Sequence, residues 1–212
     1  GWPLESLDVS GNQLDDTALT AIASSPHLET LEHLGIGAGE YGDAALEALA
    51  SSKTLTSLSS LDLTNSQLGR RGLERFLAAL TLKRLTALSL RGIGLGDAGA
   101  VTLAKSPTSR QFTSLELGEN TVTQTGVFAL ADSPNLTGLT RLQLNDAWLK
   151  KKAVVEYLSA SPTLASCRIF VKGTLLSRAP KKQAVTAKKP AAKAKATKAK
   201  DKAATPKTAR RR

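Results

Sequence analysis

The sequence has 212 residues, with 29 Lys or Arg and 18 Asp or Glu, and a formal net charge of +11. One cysteine and two histidines exclude an intrachain disulfide framework and a cysteine–histidine zinc cluster. No apolar run reaches the roughly 18–20 residues of a membrane span, and the start, Gly1–Trp2–Pro3, lacks a signal-peptide pattern. We therefore expect an intracellular protein, cytoplasmic or associated with a nucleoid or nucleus. Since methionine is absent, we also expect a piece of a longer chain.

A strand-like motif, Leu-x-x-Leu-x-Leu, recurs every 27 residues along the chain. Its first positions are Leu4, Leu31, Leu58, Leu85, Phe112 and Leu139, and its fourth positions are Leu7, Leu34, Leu61, Leu88, Leu115 and Leu142. The alternation predicts a short strand in each unit, with the fourth and sixth side chains pointing inward. Self-similarity at this period predicts stacked units that share one core.

The second half of each unit changes to a helical spacing of apolar residues, as in Leu19, Ile22 and Ala23. The helix starts are marked at one repeat position by Asp16, Asp43 and Asp97. We expect these carboxylates to accept first-turn amide hydrogens. The helix ends are marked by Ser25–Pro26, Ser106–Pro107, Ser133–Pro134 and Ser161–Pro162, because proline cannot continue a helix.

The eleventh position of each unit, in the loop after the strand, is apolar: Leu14, Tyr41, Leu68, Leu95, Val122 and Leu149. A small residue lies four places after it, at Ala18, Ala45, Gly72, Gly99, Gly126 and Ala153. With this column the chain resembles the leucine-rich repeat family, of the ribonuclease-inhibitor type. Residues 103–107 and 130–136 are similar to the Leu-Ala-x-Ser-Pro-x-Leu helix ends of large bacterial repeat proteins. The resemblance implies an α/β fold: a right-handed leucine-rich-repeat solenoid, or horseshoe segment, with a parallel concave sheet and convex helices. It also implies partner binding on the concave face.

The ninth position departs from the family pattern. Its asparagine, which satisfies loop backbone groups, occurs only as Asn12 and Asn120. The other loops therefore need a different hydrogen-bonding solution.

Four segments are predicted. Residues 1–3 are a partial N-terminal cover or a remnant of preceding repeats, and residues 4–171 are the solenoid, with units starting at 4, 31, 58, 85, 112 and 139. Residues 172–177 are a linker, and residues 178–212 are a disordered Lys/Ala-rich tail, because they are too poor in apolar residues to form a core. For the terminal strand near 166–171, the repeat phase places Ile169 and Val171 inward, whereas counting from Ser-Pro places Phe170 there. We favour the first alternative.

Two Gly-x-Gly-x-x-Gly matches, at residues 94–99 and 37–42, have the outline of a dinucleotide fingerprint. Because glycine-rich strand-to-helix loops recur with the repeat, we interpret both as loop glycines. No acid pair, catalytic triad or phosphate-binding loop is evident in the sequence. The sequence therefore predicts no enzyme activity, no metal and no cofactor.

The strand positions that face away from the core are predicted to form a small, polar and mildly acidic concave face. The candidate protein-binding residues there are Asp8, His33, Asp62, Arg91, Glu116, Glu119, Arg141, Gln143, Asp146 and Trp148. The strand rows themselves are expected to lack aromatic anchors, and Trp148 lies just past them. A cover over the last full repeat is the favoured alternative for Trp148. The acidic balance favours an unknown protein partner with a basic surface.

The tail carries most of the excess positive charge. Residues 178–212 hold 14 Lys and Arg and one acid, whereas residues 1–177 hold 15 and 17. Spaced lysines can neutralise phosphates and bind DNA or RNA without sequence preference. The candidate polyanion-binding residues are Lys181, Lys182, Lys188, Lys189, Lys193, Lys195, Lys198, Lys200, Lys202, Lys207, Arg210, Arg211 and Arg212. The composition resembles linker-histone tails; an anionic membrane surface and a merely solubilising role are the alternatives.

Together these features predict a monomeric, non-enzymatic scaffold for protein–protein interaction, with a tail that attaches it to DNA or RNA. One alternative is a regulator of a GTPase or other enzyme, because the repeat type resembles GTPase-activating proteins for a nuclear GTPase. Those proteins have acidic tails, unlike this one. Another alternative is a nucleic-acid binder that acts mainly through the tail. The tail is also predicted to be able to fold back onto the acidic concave face.

Overall fold

Short strands alternate with helices in the computed structural model, which describes residues 3–145, 151–171 and 174–176. The strands are β1 (Ser6–Asp8), β2 (His33–Gly35), β3 (Ser60–Asp62), β4 (Ala87–Ser89), β5 (Ser114–Glu116), β6 (Arg141–Leu144), β7 (Arg168–Val171) and β8 (Thr174–Leu175). The helices are α1 (Asp16–Ser24), α2 (Asp43–Ala50), α3 (Gly69–Ala79), α4 (Asp97–Lys105), α5 (Gln124–Ala131) and α6 (Lys152–Ala160). Short 3-10 turns follow α1 and α4 at Pro26–Leu28 and Pro107–Gln111.

The described strands form one open sheet in the order β1 to β8, in which β1 to β7 run parallel. Its register aligns the fourth repeat positions across neighbouring strands: Leu7, Leu34, Leu61, Leu88, Leu115 and Leu142. At the terminal strand, Ile169 lies opposite Leu142 and Val171 opposite Leu144, as the repeat phase predicts. Because each parallel connection passes through a helix, the arrangement is that of an α/β leucine-rich-repeat solenoid.

The short strand β8 was not predicted, since residues 172–177 were expected to be a linker. Thr174 pairs antiparallel with Val171, and the Leu176 N–H donates to the Ile169 carbonyl at 2.8 Å. The segment predicted as a linker thus contains a two-residue strand. The edge of β7 carries backbone groups that need hydrogen-bond partners, and the returning chain supplies them. Two residues are too few to show a strand periodicity in the sequence.

The core lies between the sheet and the helices and consists mainly of leucine. Leu61 and Leu115 are fully buried, and Leu88 is 2% exposed. By contrast, Leu7 on β1 is only partly buried, and Leu4 is 42% exposed. Each unit thus buries its apolar side chains mainly against its neighbours.

The aspartates near the helix starts stabilise the helix of the next unit. Asp97 Oδ1 accepts hydrogen bonds from the Thr123 and Gly126 N–H groups at 2.7 and 3.0 Å. Asp16 Oδ1 accepts from the Gly42 N–H at 2.5 Å. The expected first-turn amide bond is present only for Asp97, and the amide, that of Gly126, belongs to the following helix. Asp16 binds the N–H of the N-cap residue Gly42 instead, and Asp43 forms an ion pair with Arg75 at 3.7 Å. These bonds join successive units.

The identity of the N-cap residues explains this arrangement. Asp15 caps α1 with its own carboxylate, which accepts from the Ala18 N–H at 2.8 Å. Helices α2 and α4 instead have Gly42 and Gly96 at their N-caps, and glycine has no side chain to accept a hydrogen bond. At α2, Asp16 of the preceding unit supplies the acceptor for the Gly42 N–H at the helix start.

In some strand-to-helix loops, side chains other than the family asparagine form the hydrogen bonds to loop groups. The Tyr41 hydroxyl donates to the Ile36 carbonyl at 3.0 Å and lies 2.5 Å from Ser66 Oγ, which occupies the ninth position of its own unit. Burial raises the pKa of Tyr41 to about 12, although the hydrogen bond with Ser66 opposes the rise. Asn120 keeps the family role, since its Nδ2 donates to the Leu90 carbonyl at 2.7 Å.

A second set of bonds between units lies at the helix C-termini. Serine hydroxyls donate at 2.5 Å to alanine carbonyls of the preceding unit: Ser52 to Ala23, Ser133 to Ala104 and Ser161 to Ala131. The last carbonyls of a helix have no partner within the helix. Each of these three serines therefore satisfies a buried carbonyl at the end of the preceding unit's helix.

Substituting Ser133 by alanine is expected to lower the free energy of unfolding by about 1–2 kcal/mol, because buried partners lose their hydrogen bonds. The Ser133 hydroxyl donates to the Ala104 carbonyl and accepts from the Asn135 N–H at 3.1 Å. Ser109→Ala is the control, since the buried Ser109 Oγ has no hydrogen-bond partner within the described residues. We expect that substitution to be neutral or stabilising in urea unfolding. Equal losses in both variants would contradict a role for the serine bonds.

Candidate functional site on the exposed strand face

Two rows of side chains cover the sheet surface opposite the helices, called here the exposed strand face. The third-position row contains Ser6, His33, Ser60, Ala87, Ser114, Arg141 and Arg168. The fifth-position row contains Asp8, Gly35, Asp62, Ser89, Glu116, Gln143 and Phe170. All of these residues are exposed or half-buried. This surface is the one predicted as the concave face.

Carboxylates occupy alternate strands of the fifth-position row, and we call Asp8, Asp62 and Glu116 the acidic row. Neighbouring strands are about 4.8 Å apart, so successive carboxylates of this row are spaced by roughly 9.6 Å at the backbone. The residues between them, Gly35 and Ser89, are small. The carboxylates thus face the solvent with little between them.

Local hydrogen bonds hold two of these carboxylates in place. Asp8 Oδ1 accepts from the Ser10 N–H at 3.0 Å, and Asp62 Oδ1 accepts from the Thr64 N–H at 2.8 Å. The bonds with Ser10 lower the pKa of Asp8. A Cβ atom at Gly35 would lie 2.6 Å from Asp8 Oδ1, so the carboxylate leans over the glycine of the next strand. Glycine at position 35 leaves room for this carboxylate.

Arg91 and Glu119 form an ion pair beside the acidic row. The pair lowers the pKa of Glu119 and raises that of Arg91, to which the charges of Glu116 and Asp62 also contribute. Glu119 has a φ of +55°, in the left-handed region that glycine favours, and its N–H donates to Asn145 Oδ1. Arg91 is therefore surrounded by acids and partly neutralises this side of the face.

Replacing Arg91 by glutamine is expected to raise the pKa of Glu119 towards its ordinary value, because the adjacent positive charge is lost. A carboxylate whose pKa is lowered in the folded state stabilises the fold above its unfolded pKa. That contribution disappears as the pH falls through the folded pKa, so the variant should lose less stability on acidification. A carboxyl ¹³C NMR titration measures the shift, with Arg75→Gln, which removes the partner of Glu47, as the control. An unchanged Glu119 pKa in R91Q would contradict the ion pair.

The C-terminal end of the same face carries positive charge and an aromatic side chain instead of carboxylates. Arg141 and Arg168 are adjacent in the third-position row, and Phe170 continues the fifth-position row beside Gln143. The Arg141 guanidinium carbon lies 4.1 Å from the centre of the Phe170 ring. The rows of the six full units lack aromatic residues, as the sequence indicates, and the terminal strand β7 adds Phe170 to the fifth-position row. Counting 27 residues from Gln143 reaches Phe170, so the repeat phase contained this signal.

Some of the other predicted residues lie in the part of the chain that the structure describes, and some do not. His33 is exposed in the third-position row of β2, and Gln143 is half-buried on β6. Asp146 and Trp148 lie outside the described residues, as do all the candidate polyanion-binding residues of the tail. The structure therefore brings Asp8, Asp62, Glu116, Gln143, His33 and Arg141 onto one surface, with Arg91 and Glu119 beside it.

The glycines of the dinucleotide-like match at residues 94–99 have roles in the backbone and in packing. Gly94 has a φ of +74°, and a side chain at Gly99 would collide with the loop residue Leu95. Gly94 thus lies in the strand-to-helix loop as interpreted, whereas Gly99 lies inside α4, where it packs against Leu95.

Membrane-spanning helices and clusters of metal ligands are both absent from the described part of the chain. None of its helices combines the length and the apolar character needed to cross a membrane. No group of three or more His, Cys, Asp or Glu side chains in that part is arranged to hold a metal ion.

Comparison with known proteins gives a match to the repeat unit. Residues 3–23 and 108–131 match the family model described as Leucine Rich repeat, and these segments overlap the units that start at residues 4 and 112. No curated protein matches the chain in sequence. The matched segments support the leucine-rich repeat as the building unit of the solenoid.

Two solved structures show more distant similarity. One is a chain in the crystal structure of the Rad7 and Elc1 complex in yeast, with 21% identity and a TM-score of 0.46. That match covers 70% of this chain and 37% of the yeast chain. The other is an internalin (InlF) from Listeria monocytogenes, with 15% identity, a TM-score of 0.17, and coverage of 79% and 80%. This chain thus spans little more than a third of the yeast chain.

Proposed function

We propose that this chain is a non-enzymatic, monomeric scaffold that binds another protein on the exposed strand face. The observation that carries the proposal is the aligned register, which places the third- and fifth-position side chains of β1 to β7 on one continuous surface. A polar surface of this kind binds a partner through several hydrogen bonds and ion pairs spread over its area rather than in a pocket. Charge complementarity then selects the partner and its orientation.

The acidic row favours a partner segment with basic side chains at a regular spacing. In a polyproline II conformation, residues three apart are separated by about 9.3 Å, close to the roughly 9.6 Å between alternate strands. A segment with Lys or Arg at every third position, lying across the strands, would pair each cation with a carboxylate of the acidic row. The ligand class is therefore an extended basic peptide within a protein partner.

The tail supplies a second, separate attachment in this proposal. Residues 178–212 combine 14 Lys and Arg with one acid and no aromatic residue. Such a segment binds DNA or RNA through phosphate neutralisation, with affinity that falls steeply as salt rises. Without aromatic residues to stack on bases, it does so without sequence preference. The scaffold is thereby attached to the nucleoid or nucleus while its sheet binds a protein.

Capture from a cell extract tests the proposal, using the full chain as bait with and without nuclease. The test bait removes three charges from the acidic row while keeping the hydrogen-bond acceptors: Asp8→Asn, Asp62→Asn and Glu116→Gln. The control bait removes three exposed charges outside the two strand rows: Glu29→Gln, Glu40→Gln and Glu156→Gln. Thermal melts check that both baits fold.

We expect a nuclease-resistant protein to bind the wild-type and control baits equally and the test bait at least tenfold less. Equal capture by all three baits would contradict binding on the acidic row. Loss of every captured protein after nuclease treatment would instead favour a nucleic-acid binder that acts through its tail.

A further inference from the structure

The C-terminal end of the exposed strand face brings together two cations and two large apolar side chains. Arg141 lies opposite Arg168, and Phe170 lies opposite Leu175 in the antiparallel pair of β7 and β8. Directly opposed residues of paired strands project from the same face of the sheet. Residues of one row project from the same face, and the contact of Arg141 with the Phe170 ring joins the two rows. We call these four residues the arginine corner.

The charges of the arginine corner lack a partner among the described residues. Arg70, Arg75 and Arg91 each contact a carboxylate. Within the described part of the chain, neither Arg141 nor Arg168 forms such an ion pair. Two like charges side by side on paired strands repel each other. A bound anion would relieve that repulsion, and the guanidinium fork fits a carboxylate with two parallel hydrogen bonds.

The apolar half of the corner is exposed to solvent. Leu175 is 51% exposed, and within the described residues only Leu4, on the first unit, is another large hydrophobic side chain classed as exposed. Phe170 is half-buried, and the guanidinium of Arg141 lies over its ring. This stacking orients the guanidinium while its N–H groups at the edge remain able to donate. An apolar surface is thus held next to two oriented cations.

We infer that the arginine corner binds a peptide segment in which a carboxylate side chain adjoins an aliphatic or aromatic one. The carboxylate lies between the Arg141 and Arg168 guanidiniums, and the apolar side chain covers Phe170 and Leu175. This inference rests on the proposed function and extends it. Because the acidic row occupies β1, β3 and β5, the two ends of the face have opposite charge. The partner segment must therefore be basic at one end and acidic and apolar at the other, which fixes its direction.

Two observations favour a peptide over a nucleic acid at this corner. The Arg141 guanidinium already covers one face of the Phe170 ring, which limits base stacking there. Glu116 lies one strand beyond Gln143 on the same row, so a polyphosphate chain extending along the row would meet negative charge. A short segment with a single carboxylate does not reach Glu116, and its apolar side chain packs on Leu175 and on the part of Phe170 that Arg141 leaves uncovered.

Fluorescence anisotropy with three labelled peptides and the full chain tests the inference. The first peptide contains three Lys-Pro-Ala units followed by Leu-Asp-Glu, and the second has the same residues with the acidic block first. The third ends in Leu-Asn-Gln and lacks the carboxylates. The protein variants are wild type, Arg141→Gln/Arg168→Gln, and the control Lys83→Gln/Arg84→Gln. The control removes two exposed cations from the turn before β4.

We expect one of the two acidic peptides, and not the other, to bind wild type and control at least tenfold more tightly than the neutral peptide does. That preference should be at least tenfold smaller in R141Q/R168Q than in wild type, and should also weaken in Leu175→Ser, which leaves both arginines in place. Attraction of the carboxylates to the basic tail is the same in all variants, so only the difference between variants is interpreted. Equal affinities for acidic and neutral peptides in the wild type would overturn the inference, as would a preference of the same size in R141Q/R168Q as in wild type.

The outcomes also separate this inference from the proposed function. If the neutral peptide binds, and loses affinity in Asp62→Asn/Glu116→Gln, binding on the acidic row stands whatever happens at the corner. An eight-nucleotide single-stranded DNA is tested in the same way. If the R141Q/R168Q substitution weakens binding of this DNA and leaves binding of the acidic peptides unchanged, the corner is a nucleic-acid site and the inference is wrong.

Discussion

Replacing Leu88 by alanine is expected to lower the free energy of unfolding by about 3–5 kcal/mol, the largest loss among the substitutions considered. Leu88 is 2% exposed and lies at the centre of β4, between Leu61 and Leu115 of the neighbouring strands. Truncation removes buried apolar surface and leaves a cavity that well-packed neighbours cannot fill. Urea unfolding followed by circular dichroism measures the change.

The matched control is Leu7→Ala, the same repeat position in β1. Leu7 is partly exposed, and among the described strands β1 pairs only with β2. We expect roughly half of the loss seen at Leu88, because less apolar surface is buried there. Similar losses of unfolding free energy at both positions would mean that burial does not depend on having a unit on each side. That result would contradict a core shared between neighbouring units.

Asp97→Ala is expected to have the second-largest effect, a loss of about 2–3 kcal/mol. Asp97 accepts two N–H bonds from the next unit and a third bond from the Thr123 hydroxyl at 2.6 Å. Removing the carboxylate leaves the start of α5 without these acceptors. Hydrogen exchange should therefore become faster at the Thr123 and Gly126 amides than at those of α4.

Asp97→Asn is the control, since its amide oxygen still accepts hydrogen bonds while the charge is lost. We expect about half of the loss seen in Asp97→Ala. If Asp97→Ala were as stable as the wild type, or if exchange rose in α4 instead of α5, the bond between units would not contribute to stability.

Repetition explains why the sheet register could be predicted. Six leucines at one spacing must lie on adjacent strands if they share a core, and the structure aligns Leu7 through Leu142 in this way. The same repetition places Asp8, Asp62 and Glu116 on one row, because position within a unit decides which face a side chain joins. The site rows were therefore largely predictable from the period.

Features that depend on a contact between units were harder to predict. Asp97 stands at a helix start, and its sequence context alone suggests a cap for its own helix. Its true partners lie 26 and 29 residues further along the chain. The contact of Arg141 with Phe170 similarly joins two units, and β8 forms because β7 has an open edge. These features follow from which units are neighbours, not from local pattern.

The most direct test of the account is hydrogen exchange on the full chain with and without the captured, nuclease-resistant protein. Binding on the exposed strand face predicts slower exchange in the segments around β1 to β7, with little change in helices α2 to α5. Slower exchange confined to those helices, with the strand segments unchanged, would contradict the account.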